Sequence, residues 1–366
     1  MPPDLLRRWP LLVALAILGF GVPLSLGARA SLPPPVYFLH DQQHYREMAT
    51  PGAARRVAPY SWRLLPSAIV RATGLPAGTG FHALTLTALA LIPPAIAIMM
   101  AAAGISAGTA LMAGAIAAFA PAVAGYLSWD FIRPDGLSLL LIVLAASAAM
   151  RGRPVVFAAA MAALSVTKET WVIAAAFALV WSRAYARSFW KSALAGTLLA
   201  LAAAVAVRLA IPSAEPYSWA ANARDLYWPL DPRTVSRRLL LATTGTWTVL
   251  TPLAAFALAR HAGEPRAWTV GLCVTIATAQ ILVAIDTQRL VAAALPFILL
   301  ACAWELDRLD PTPRAAVAGA LAAAQIPWLL SYARIWTPPL RGIEIVLLAA
   351  AAAAAILARR QRSLTM

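Results

Sequence analysis

The residues able to do chemistry are few, and one stretch holds most of them. From position 36 the chain reads Val-Tyr-Phe-Leu-His-Asp-Gln-Gln-His-Tyr-Arg-Glu-Met-Ala, and after a basic break Ala58-Pro59-Tyr60-Ser61-Trp62-Arg63-Leu64-Leu65-Pro66. Asp41 is its central group, because a carboxylate takes a proton from any hydroxyl held within hydrogen-bond reach. His40 and His44 stand four apart, on one face of a helix, as two zinc ligands would. The zinc-protease motif has Glu where this chain has Asp41, Asp is one methylene shorter, and no third ligand follows. A plain solvated interfacial loop accounts for the same side chains without chemistry.

Other polar groups interrupt the apolar chain. Asp130 and Asp135 flank Arg133 in a short loop, where a local salt bridge is the simplest role. Lys168 and Glu169 fall inside the apolar block 154–182. Two adjacent charges there cost several kcal/mol unless paired or wet, so they are candidates for function, or else for capping two short helices that meet at Thr167-Lys168-Glu169-Thr170. Asp286 and Arg289 lie three apart at a helix boundary, the spacing of a surface ion pair.

The elements that must position these groups are membrane helices. Of 366 residues 61% are hydrophobic and only 12% are charged, about half the charge of a soluble domain. The expected fold class is all-α: a multi-pass transmembrane bundle of about 10–12 helices, with 1–366 as one polytopic domain. Apolar runs are expected as helices near 10–28, 81–102, 107–127, 136–150, 191–211, 238–259, 267–285, 289–304, 314–331 and 342–358, with the 154–182 block as two short ones. Interfacial helices are expected at Tyr37–Ala49 and Pro59–Thr73, the second with Arg63 and Arg71 snorkelling toward headgroups. Ala28-Arg29-Ala30 imitates a signal cleavage site, but the run before it is long for a signal peptide and reads as a retained helix.

The net charge of +15 is carried almost wholly by arginines at helix ends, with Lys168 and Lys191 the two lysines. That scatter excludes a nucleic-acid patch and fits cytoplasmic flanks facing anionic membrane lipids. Cys273 and Cys302 sit in apolar runs and imply no disulfide framework. With both termini cytoplasmic, the short basic loops fall inside, and Asp41, Asp130, Asp135, Lys168, Glu169, Asp286 and Arg289 all fall on the outer face. Residues 29–80 then form the first extracytoplasmic loop, carrying Asp41, and residues 212–236 a second one rich in aromatics.

Asp41-Gln-Gln-His-Tyr45 followed by Pro59-Tyr60-Ser-Trp62-Arg63-Leu-Leu-Pro66 resembles the first outer loop of polyprenyl-phosphate-sugar-dependent glycosyltransferases of the GT-C superfamily, mannosyltransferase-like members included. Arg133-Pro134-Asp135, Thr167-Lys168-Glu169 and Asp286-Thr-Gln-Arg289 with Pro296 resemble later landmarks of that group, in order. The first-loop motif has one acidic residue where some members have a carboxylate pair. The resemblance implies a bacterial inner-membrane hexosyltransferase. It would move a sugar from a polyprenyl-phosphate donor to a hydroxyl of a glycan or lipid acceptor, with inversion, on the extracytoplasmic face. Asp41 would be the general base. Arg289, Lys168 and Arg63 would face the leaving phosphate, while His40, Tyr45, Asp130, Asp135, Glu169 and Asp286 would contact substrate. Asp130 or Asp135 could also help hold a divalent metal, the one cofactor the resemblance brings in. Tyr45, Trp62, Tyr217 and Trp219 could stack on sugars or simply belong to the interfacial aromatic belt.

A transporter or flippase for a lipid-linked or anionic substrate is the rival from another class, since broken helices and intramembrane charges also serve transport. A one-sided site favours the enzyme; a site at mid-membrane open to alternate sides favours transport. A non-catalytic assembly partner would leave Asp41 outside any cavity.

Overall fold

The computed structural model describes residues 7–29, 36–52, 57–125, 131–213, 246–280 and 290–332, with isolated positions at 5, 218, 220 and 236; the side chains of 27–29, 36–41 and 330–332 lie outside that description. Among the described residues there are 14 α-helices and no strand. They are α1 (Trp9–Arg29), α2 (Val36–Ala49), α3 (Leu64–Ala72), α4 (Ala77–Ala102), α5 (Ala107–Phe119), α6 (Asp135–Met150) and α7 (Pro154–Ser165). There follow α8 (Trp171–Tyr185), α9 (Trp190–Ala210), α10 (Leu250–Arg260), α11 (Pro265–Ala279), α12 (Leu295–Leu306), α13 (Pro311–Ala323) and α14 (Ile326–Tyr332). Three stretches are long and apolar enough to cross a membrane by length and composition: Trp9–Leu26, Ala77–Ala102 and Arg187–Ala210. The expected helix 342–358, most of the 212–236 loop and the start of the helix expected at 238 lie outside the described residues.

The apolar runs became helices where expected, and the departures have local causes. Pro59–Thr73 is not one helix. A single 3₁₀ turn, Tyr60–Trp62, precedes α3, which starts at Leu64. Pro66 explains the start, because a proline without an N–H is tolerated only in a helix's first turn. The run expected at 314–331 is split into α13 and α14 by a turn at Ala324-Gln325, just ahead of Pro327, for the same reason. The 154–182 block is broken as expected, with α7 ending at Ser165 and α8 starting at Trp171.

Packing follows small residues. In a bilayer, helices associate through close van der Waals contact more than by escape from water. α1 lies against α4 and α5, α4 against α6, α7 against α6 and α9, and α8 against α6 and α11. Pro93 inside α4 leaves the Leu89 carbonyl without its helical donor. Gly19 of α1 sits so near this carbonyl that a Cβ there would come within 2.6 Å of it. Gly114 of α5 meets the Pro93 carbonyl as closely, at 2.7 Å from its would-be Cβ. Ile92, Ile96, Met99 and Met100 fill the centre with essentially no exposure.

Hydrogen bonds between helix ends divide the bundle into two polar ends. At one end Thr85 Oγ1 donates to the Phe131 carbonyl at 2.6 Å and the Leu65 amide donates to the Val166 carbonyl at 3.1 Å. At the other, Arg151 Nη2 donates to the Ile98 carbonyl at 3.1 Å and the Arg266 amide to Tyr185 Oη at 3.1 Å.

Candidate functional site

The first polar end gathers five of the residues singled out from the sequence. Arg63 is the hub. It caps α3 at its N-terminal side and is 9% exposed. Its Nε and Nη2 donate to Glu169 Oε2 at 3.2 and 2.9 Å, and Nη1 donates to Tyr45 Oη at 2.8 Å. The planar guanidinium suits this fork, and two charge-assisted bonds to one carboxylate are stronger than neutral ones. The expectation that Arg63 snorkels to headgroups is therefore corrected: a buried carboxylate and a buried phenol take its donors. Arg71, on the same helix, is exposed.

Glu169 lies in the turn between α7 and α8, outside both helices. Burial alone would raise its carboxyl, but the charge and hydrogen bonds of Arg63 outweigh that and hold it below the ordinary carboxylate value. Its neighbour Lys168 points the other way and pairs with Asp135, the first residue of α6. Both are nearly sealed, with side chains 5% and 6% exposed. This pair joins α6 to the turn across 33 positions of sequence, and the local bridge expected of Asp130 with Arg133 falls on a residue outside those described. Ser138, one turn into α6, joins Thr170 through their hydroxyls at 2.6 Å, a second clasp between α6 and the turn. The adjacent charges thus each find a partner on a different segment, which is how a buried charge is made tolerable.

Tyr45 anchors α2. It is fully buried, edge-on to Tyr60 and Phe81, with Ser67 Oγ donating to its carbonyl at 3.4 Å. His44 stacks on Tyr60 at 4.8 Å between ring centroids. Asp41 lies one helical turn before Tyr45 on α2, with His40 beside it, and their side chains fall outside the described residues. Asp130, Asp286 and Arg289 also lie outside them. Among the described residues no group of three or more His, Cys, Asp or Glu side chains could hold a metal.

Some partners were not legible in the sequence. Trp62 Nε1 donates to the Ile211 carbonyl at 3.1 Å, and Arg208 lies 5.0 Å over its ring. The Ala58 amide donates to Ser213 Oγ at 2.9 Å. Together these fix the segment before α3 to the end of α9, so Trp62 is tied to protein on at least one edge and one face. The only signal for it was an indole within an aromatic-Arg motif. Ser138 carried a signal too: it is one turn after Asp135, on the same helix face.

No family model matches the sequence, and no curated protein matches it. Among solved structures the chain is similar to the crystal structure of ArnT from Cupriavidus metallidurans in the apo state, with a TM-score of 0.56 and 17% identity over 96% of this chain and 74% of that one. The likeness at that identity is one of fold: an all-helical membrane architecture.

Proposed function

We propose that this chain is an integral-membrane glycosyltransferase that moves a sugar from a polyprenyl-phosphate donor to a hydroxyl of a glycan or lipid acceptor. One observation carries the reading. A GT-C-type fold clamps α2, which bears Asp41, to the Lys168–Glu169 turn at one end of the bundle. ArnT, the neighbour in fold, is an undecaprenyl-phosphate-aminoarabinose transferase of the GT-C family. The active end faces the exterior of a bacterial inner membrane, and both termini are cytoplasmic, as the basic loops suggest.

In the mechanism, Asp41 takes the proton of the acceptor hydroxyl as its oxygen attacks the anomeric carbon. The bond from that carbon to the phosphate oxygen breaks, its electron pair leaves with the polyprenyl phosphate, and the configuration inverts. Arg289 balances the charge that develops on the leaving group, while Lys168 is held by Asp135 within the turn. Arg63 and Tyr45 hold α2 in place instead of touching the phosphate, since their polar atoms already serve each other and Glu169. Asp130, Asp286 and His40 line the path of the sugar and acceptor hydroxyls, and any divalent metal would sit with Asp130, since Asp135 is sealed against Lys168.

The test offers purified protein in lipid a panel of radiolabelled polyprenyl-phosphate sugars with a crude glycan and lipid extract. Label in an acceptor supports transfer and names the sugar. Label moved unchanged across a vesicle bilayer, with none in an acceptor, overturns transfer in favour of a flippase.

A further inference from the structure

The polar end opposite the Lys168–Asp135 pair holds a feature the transfer reaction does not use. A cavity of 630 Å³ opens there between the approach to α1, the first turn of α5 and the first turn of α13. Among the described residues Arg7, Arg8 and Arg314 line it, beside Ser106, Gly108 and Met112, and no carboxylate does. The size is that of an ordinary ligand site, roughly 300–1,000 Å³.

The carboxylate that meets two of the lining residues, Ser106 and Arg314, is already occupied. Asp307 accepts from the Ser106 amide at 3.3 Å, from Thr109 Oγ1 at 2.7 Å and from the Ser106 hydroxyl, capping α5, and lies 3.6 Å from Arg314 Nη1. Those hydroxyl bonds keep its carboxyl below the ordinary value against the pull of burial, so it stays an anion and offsets about one arginine. Arg314 is held rigidly, with Nη1 donating to Ser106 Oγ at 3.0 Å and Nη2 to the Leu309 carbonyl at 2.6 Å. Arg7 and Arg8 are exposed and, among the described residues, carry no ion pair. The cavity is left with a positive balance and planar donors suited to phosphate oxygens.

The source of that phosphate is read from what adjoins the cavity. Directly beyond Arg8, α1 turns an apolar strip outward: Trp9 is 64% exposed, Leu11 49%, Val13 46% and Ile17 65%. A free anion would leave that strip uncovered, whereas a lipid lays its tails along it. We propose that the cavity binds the headgroup of an acidic glycerophospholipid, its phosphate among Arg7, Arg8 and Arg314 and its acyl chains on the outer face of α1. Basic pockets between transmembrane helices are suited to such headgroups. The lipid ties the approach to α1 to the α4–α5 and α12–α13 turns, which Asp307 and Arg314 already join. This site is independent of the glycosyltransferase reading, and of which face is cytoplasmic.

The test is native mass spectrometry of the full-length protein titrated with dioleoyl-phosphatidylglycerol, with dioleoyl-phosphatidylcholine as the neutral probe. Two double variants are compared: R7Q/R8Q, and R183Q/R187Q as a basic pair away from the cavity. The expected result is that R7Q/R8Q weakens retention of phosphatidylglycerol by about tenfold, while R183Q/R187Q and the neutral lipid show no such change. Equal retention by both variants overturns the proposal, as does displacement of the bound phosphatidylglycerol by millimolar inorganic phosphate, which would assign the cavity to a soluble anion. Far-ultraviolet circular dichroism of R7Q/R8Q checks its helix content, and exposed residues outside α1 leave that unchanged.

Discussion

Two charged clusters stand at opposite ends of the bundle, and they are built differently. At one end Arg63, Glu169, Lys168 and Asp135 pair across 106 and 33 positions of sequence, with side chains mostly out of water. At the other, the α10–α11 turn is stitched locally. His261 Nδ1 meets Glu264 Oε1 at 2.6 Å, Arg266 Nε meets Glu264 Oε2 at 2.6 Å, and Arg266 lies 5.0 Å over Trp304. From α12, beside Trp304, comes Glu305, 3.3 Å from Arg260 and 3.4 Å from His261 Nε2. Arg260, Glu264 and Arg266 are each about a third exposed or more. The local cluster staples one hairpin against α12. The long-range cluster joins α2, α3, α6 and the α7–α8 turn, and so sets where the helix bearing Asp41 stands. What separates the scaffold from the staple is how many segments its ion pairs join and how far their side chains lie from water.

The difference predicts unequal costs. Lys168→Met removes the counter-charge that meets the buried Asp135 and should cost about 3–5 kcal/mol of stability, measured by thermal unfolding in detergent or lipid. The double variant Lys168→Met/Asp135→Leu should recover much of that loss, because removing both partners is far cheaper than removing one. A double variant as unstable as the single one would break the claim that the pair is a buried charge problem solved.

Next comes Arg63→Lys, which keeps the charge and loses the fork. Stability should fall by about 1–3 kcal/mol, and transfer should fall further, through a lower kcat, because α2 is loosened. Transfer unchanged at equal protein folding would detach the network from the position of Asp41.

Acidification sharpens the contrast without a large variant effect. The Glu169 carboxyl is held below its ordinary value, so its contribution is complete above about pH 4 and is lost as the pH falls through the lowered value. Wild type should therefore lose stability more steeply than Glu169→Gln over that window, read from melting curves across pH. Parallel curves would deny Glu169 its role. The smallest effect belongs to the opposite cluster: Arg260→Gln should shift stability by about 1 kcal/mol, because Arg260 is a third exposed and His261 stays beside the buried Glu305.

Much of this was legible in the sequence, for a simple reason. Lipid demands apolar runs of helical length, and charges inside such a run mark a break, so the α7–α8 turn could be read from Lys168 and Glu169 alone. The partners could not. Arg63 read as a snorkelling interfacial side chain because nothing local reveals Glu169, 106 positions on. Sequence offers Asp135 only neighbours such as Arg133, while the fold adds Lys168, 33 positions on. Prolines set element starts: Pro66 and Pro327 decide where α3 and α14 begin.

The central claim is that Asp41 is the base of a transfer reaction, and Asp41→Asn tests it most directly. The amide keeps the size and cannot take the proton. With the donor sugar named by the panel, initial transfer rate and donor binding are measured for wild type and variant in the same lipid. The account predicts transfer reduced by about 10²-fold or more, with donor binding and melting temperature retained. Transfer undiminished in Asp41→Asn would contradict it.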